Sequence, residues 1–192
     1  MMLLFGCSPN KSPNDSNIDR SFLTGKPCEV PCWYGLKIGE STKEDAQRVI
    51  SPLPFVDTST IRESLFADGG GSLDFNCIDS MEKICGWLFF TAEGEIYVIG
   101  YIPMYDLAIQ DMINRLGPPN NFFAVGPDHN NCAAYFFWPE WKIRALLDIK
   151  PKYCKEVNNG KINLKWQINQ LIYSEIDNGL IKQGIIWSNK VP

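Results

Sequence analysis

Two stretches decide how this chain folds: residues 41–54, STKEDAQRVISPLP, and residues 106–119, DLAIQDMINRLGPP. In the first, Ser41 reads as a helix N-cap, and Glu44 three residues on completes a capping box. Ala46, Val49, Ile50 and Leu53 then recur at i, i+3, i+4 and i+7. That spacing lays one apolar stripe along a helix. Pro52 and Pro54 stop it, because proline lacks the N–H and clashes with the preceding turn. In the second stretch Asp106 stands in the first turn, Ile109, Met112, Ile113 and Leu116 form the stripe, and Gly117-Pro118-Pro119 ends it. The two stripes match at a constant offset of 63 positions.

Strand-like runs follow each helix. After the first come 72–77, 86–91 and 95–102; after the second come 132–138, 141–149 and 161–168. Ala92-Glu93-Gly94-Glu95 and residues 126–131 read as hairpin connections, and Asn159-Gly160 and Asn178-Gly179 as tight turns. The last of these flanks an expected final hairpin. From Trp141 onward Ile143, Ala145 and Leu147 alternate with Lys142, Arg144 and Asp148, the pattern of a sheet with one wet face. Residues 95–102 are apolar on both faces beyond Glu95, as a central strand is. The expected fold class is α+β: two related helix-plus-antiparallel-meander halves, with the sheet packed against short helices. The halves span about 33–102 and 103–168, and the C-terminal hairpin 169–187, all within one domain over 27–192.

Bulk composition is that of a globular protein. Of 192 residues, 45% are hydrophobic and 21% charged, which suffices for one sizeable core. The formal net charge is -4 and no basic run occurs, so nucleic acid is not expected as a partner. Aromatic content is 12%, which serves a core or a binding surface.

Seven cysteines carry the signal for location. Cys7 follows the apolar run Leu3-Leu4-Phe5-Gly6, so 1–7 reads as a signal remnant with a lipidated cysteine, although no Lys or Arg precedes it. Residues 8–26 read as a flexible linker, since 8–17 (SPNKSPNDSN) offers nothing to bury. Cys28, Cys32, Cys77, Cys85, Cys132 and Cys154 form an even set, as a disulfide framework requires, with fifteen possible pairings. Proximity favours Cys77 with Cys85. Cys132 and Cys154 could bridge neighbouring strands, leaving Cys28 with Cys32, whose spacing can close a loop but each of which could also pair elsewhere.

The helix openings and closings have a known likeness. Gly39-Glu40-Ser41-Thr42 leading into one helix, and Leu116-Gly117-Pro118-Pro119 closing the other, resemble small outer-membrane lipoproteins of the SmpA/OmlA type and the tandem-repeat β-lactamase inhibitor proteins. The start Pro31-Cys32-Trp33-Tyr34-Gly35-Leu36 is similar to that of uncharacterised bacterial lipoproteins. The resemblance implies short helices against an antiparallel sheet, and a role in protein–protein contact in the cell envelope.

Catalytic signatures are sparse. His129 is the sole histidine and lies in a polar turn, where a solvated side chain is expected. There is no nucleophile elbow, and Asp68-Gly69-Gly70-Gly71 lacks a P-loop lysine. Asp128, Asn130 and Asn131 have no EF-hand spacing. No metal site, catalytic residue or cofactor is expected. The best recognition surface is the aromatic run 135–141, with Tyr135, Phe137, Trp138 and Trp141 as candidate partner-binding residues. Tyr135 and Phe137 share one strand face, Phe136 and Trp138 the other. The expectation is a non-catalytic, lipid-anchored envelope protein that binds or scaffolds another protein. The alternative is an envelope hydrolase acting on glycans or peptides through carboxylates that the sequence does not identify.

Overall fold

The computed structural model describes residues 19–78, 84–125, 132–175 and 185–186. Cys7, the hairpin loop 126–131 with His129, and Asn178-Gly179 lie outside them. The order is α1 (Ser21–Thr24), β1 (Cys32–Trp33), β2 (Leu36–Lys37), α2 (Lys43–Ile50), β3 (Val56–Leu65), β4 (Gly71–Cys77), β5 (Gly86–Phe90) and β6 (Ile96–Tyr101). Then come α3 (Ile109–Leu116), β7 (Asn121–Val125), β8 (Cys132–Trp138), β9 (Ile143–Ile149), α4 (Cys154–Asn158), β10 (Gln170–Ser174) and β11 (Ile185–Ile186). Strands β1 and β2 form a small hairpin. The other nine form one antiparallel sheet, ordered β11-β7-β8-β9-β10-β6-β5-β4-β3.

Helix α2 begins one residue later than the sequence suggests. Thr42, not Ser41, is the N-cap: its hydroxyl accepts from the Asp45 N–H, and Asp45 accepts from the Thr42 N–H at 3.0 Å. Ser41 instead accepts the Lys37 N–H at 2.9 Å, closing the turn after β2. In α3 the same role falls to Asp111, which accepts the Ala108 N–H at 2.9 Å. Ala46 and Ile50 of α2, and Ile109, Met112 and Leu116 of α3, are buried, so each apolar stripe faces the sheet.

Both helix starts dock alike on the segment that leads into the fourth strand after them, β6 and β10. Lys43 N–H donates to Gly94 O, and Ile96 N–H donates to Ser41 O. At the other helix, Ile109 N–H donates to Trp166 O and Ile168 N–H to Leu107 O. Free N–H groups at a helix start need such acceptors. This explains why 161–168, expected as a strand, is none: it wraps the α3 N-terminus, with Leu164 O taking the Gln110 N–H. The strand comes later, as β10.

Two strands had no sequence signal. Strand β3 is polar, lies at the sheet edge and bulges between Asp57 and Arg62. Strand β7 is five residues long. The expected C-terminal hairpin is also corrected. Strand β10 pairs with β9 and β6, whereas β11 pairs with β7, so the two are not neighbours. Strand β9 alternates as expected, with Ile143, Ala145 and Leu147 wholly buried.

The linker expectation fails at its C-terminal end. Phe22 is 1% exposed and belongs to the core. Asp19 is 3% exposed and accepts from Ser21 N–H at 2.8 Å, Trp33 Nε1 at 3.1 Å and the Tyr34 hydroxyl at 3.0 Å. Those donors hold residues 19–26 on the domain. Trp33 in turn stacks on Phe75 and Tyr101. Arg115 of α3 donates to Leu23 O, pairs with Glu29 and lies over the Phe22 ring.

Three disulfides, Cys28–Cys32, Cys77–Cys85 and Cys132–Cys154, close separations of 4, 8 and 22 positions. Such a framework belongs to a chain that matures in an oxidising compartment, outside the cytoplasm. Among the described residues no helix is long and apolar enough to cross a membrane.

Candidate functional site

The helices and residues 19–38 cover one face of the nine-stranded sheet. Strand alternation turns the other side chains to the opposite, outer face. Antiparallel register sets six of them in one row across six strands: Phe137, Arg144, Ile172, Gly100, Trp87 and Asp74. Phe137, Ile172 and Val98 are buried, yet stand apart from the core cluster beneath the helices. Arg144, Trp87 and Asp74 are half-buried. The Trp87 indole lies across Gly100, where an added Cβ would sit 2.2 Å from it.

Two charged groups on this row are partly stripped of water. Burial lowers the pKa of Arg144 and raises that of Asp74, because desolvation disfavours each charged form. Among the described residues Arg144 has no hydrogen-bond or ion-pair partner, and its Nε is fully enclosed. Four strand steps of about 4.8 Å put the two groups about 19 Å apart along the row.

Toward the β3–β4 turn the outer face becomes an aromatic ladder. Phe66 and Phe89 have ring centroids 6.1 Å apart, as do Phe89 and Tyr97. Phe66 and Tyr97 are each 41% exposed and the neighbouring Leu65 is 72% exposed.

The candidates named from sequence distribute differently. Tyr135 is half-buried on the outer face beside Phe137. Phe137 is 2% exposed, and Trp138 is fully buried on the helix side with its Nε1 donating to Gly117 O at 2.8 Å. Trp141 is half-buried against the core. Phe137 and Trp138 are therefore packing residues, and the accessible rings lie on β5 and β6 and in the turn after β3. Sequence signalled Phe89 and Tyr97 only as parts of apolar strands; a bulge at Phe89/Phe90 sets Tyr97 aside from the ladder of pairs.

A second polar cluster lies beneath the sheet. Tyr34, Tyr101, Tyr105 and Tyr173 all have raised pKa values, burial being the largest cause and the negative charge of Asp19 a further one. The Tyr101 and Tyr105 hydroxyls interact electrostatically, but neither makes a hydrogen bond of good geometry. This cluster is enclosed and ties residues 19–34 to the core.

The cross-strand neighbours of Asp74 are Arg62 and Trp87. Among the described residues no three His, Cys, Asp or Glu side chains converge as a ligand set. No protein-family model, no curated protein and no solved structure matches this chain.

Proposed function

We propose that this chain is a non-catalytic protein-binding module of the cell envelope, tethered through a lipid on Cys7, that engages another envelope protein with the outer face of its sheet. The observation that carries the reading is the Phe66–Phe89–Tyr97 ladder, three rings on a face that the helices leave uncovered. Aromatic rings give large contact area for little lost side-chain freedom and are enriched at protein interfaces. The three disulfides agree with the compartment.

The same reading takes the two halves as a diverged repeat. Each opens with one helix and runs through four antiparallel strands, the second half adding the short α4 before its last strand, and the fourth strands, β6 and β10, meet in mid-sheet. Ile96 and Ile168, Ile99 and Leu171, and Tyr101 and Tyr173 are each 72 positions apart. Their pairing is self-consistent under that shift: Tyr101 faces Leu171 and Ile99 faces Tyr173. Duplication of a half would create a double-width outer face.

Photocrosslinking in the native envelope tests the proposal. A photoreactive residue at Tyr97 or Phe66 should give one discrete protein adduct, and one at Arg48 on α2 should give none. Equal labelling from all three positions, or none from Tyr97 and Phe66, would refute it. Intact mass separately tests the tether: a diacylglycerol increment lost in Cys7→Ser is expected, and an unmodified Cys7 removes the anchor.

A further inference from the structure

We propose that Arg144 is the receptor for a carboxylate presented by the bound protein; the inference rests on the outer face being the binding surface. Arginine is rarely buried without a partner. Here Arg144 lies between Phe137 and Ile172 across the strands, both nearly inaccessible. Its Nε is enclosed without an acceptor among the described residues, while the residue as a whole is only half-buried. Lys142, in the turn just before β9, is already paired with Glu175. A desolvated guanidinium without a counter-charge weakens the fold unless something else claims it.

The neighbours decide which anion fits. A carboxylate takes two parallel N–H···O bonds from one guanidinium and is satisfied by a single positive charge. A phosphate dianion calls for more than one cation, and Arg144 stands alone between apolar side chains. The half-buried Tyr135 ring beside it suits a carboxylate carried next to an apolar group. Two sources on a protein have that chemistry: a C-terminal carboxylate after an apolar residue, or an acidic side chain next to one.

The test follows the Arg144 Nε–Hε signal by NMR in the full chain. The probes are acetyl-Ala-Phe with a free carboxylate, acetyl-Phe-Asp-amide, acetyl-Ala-Phe-amide and inorganic phosphate. One of the two carboxylate peptides should saturate the signal at least tenfold more tightly than the uncharged amide, and which one does identifies the source. Arg144→Lys, which keeps the charge but loses the fork, should weaken that binding at least fivefold, and Arg144→Gln should abolish it. Arg144→Leu should raise Tm, since it removes an uncompensated charge. No saturable shift, tighter binding of phosphate than of either peptide, or unchanged binding in folded Arg144→Gln would overturn the proposal. Crosslinks from Tyr97 with a silent Arg144 would remove only the carboxylate; a saturable Arg144 without crosslinks would remove only the protein partner.

Discussion

Replacing Asp19 with alanine tests the least expected element of the fold. Its carboxylate accepts from Ser21 N–H, Trp33 Nε1 and the Tyr34 hydroxyl at 2.8, 3.1 and 3.0 Å. Hydrogen bonds to a charged group contribute about 1.5–3 kcal/mol each, and a buried donor left unpaired costs about 1–3 kcal/mol. The Trp33 indole N–H has no water to turn to, because that residue is 1% exposed. Relief from burying a charge offsets part of the sum. The expected net loss for Asp19→Ala is about 3–4 kcal/mol, with about half of that for Asp19→Asn, which keeps one acceptor. Denaturant unfolding with the disulfides intact reads it, followed by near-ultraviolet circular dichroism from Trp33. A double-mutant cycle with Trp33→Phe isolates the indole bond. A loss below about 1 kcal/mol for Asp19→Ala, the net value of one ordinary hydrogen bond, would refute the anchoring of residues 19–26.

Other outcomes follow from the same structure. Tyr34, Tyr101, Tyr105 and Tyr173 have folded pKa values above the unfolded one, near 10, so the unfolded chain releases protons first; stability should fall by about 1.4 kcal/mol per such tyrosine per pH unit above about pH 10, and absorbance at 295 nm should show them titrating only on unfolding. Asp74, whose folded pKa is raised, should lower stability as pH rises from its unfolded to its folded pKa; Asp74→Asn should remove that slope from denaturation curves at acid pH. Opening Cys132–Cys154 with a double Ser substitution should cost about 3 kcal/mol and opening Cys28–Cys32 about 2 kcal/mol, following loop length; equal melting temperatures with and without full reduction would contradict both. Gly100→Ala should destabilise by about 1–3 kcal/mol by driving a methyl into the Trp87 indole, and calorimetry on Gly100→Ala with Trp87→Leu should show recovery.

Much of the architecture was legible because it rests on periodicity. The stripes of α2 and α3 face the core, although α2 ends at Ile50 before reaching Leu53, and β9 reads correctly since one of its faces is buried and the other carries Arg144 and Asp148. What escaped has physical causes. Strand β3 carries Asp57, Arg62 and Glu63 because an edge strand gains from charge, and charge hides the alternation. Residues 161–168 alternate like a strand, but their carbonyls are spent on the α3 N-terminus. Ser41 and Thr42 are both competent caps, and only the turn closed by Lys37 chooses between them. The rings of 135–138 were placed on the right faces, but which face stays wet depends on chains remote in sequence. The bonds of Asp19 to residues 14 and 15 positions away have no local signature at all.

The meeting of β6 and β10 in mid-sheet has a consequence for biogenesis. Synthesis runs from the N-terminus, so the first meander is complete about seventy residues before its last neighbour exists. During that interval β6 presents an unpaired edge, and five of its six residues are apolar enough to be buried later. Such an edge is a template for any chain carrying β10, including one on another molecule. Two nascent chains close together can exchange their second halves through this seam and form a swapped dimer with every native strand pair present.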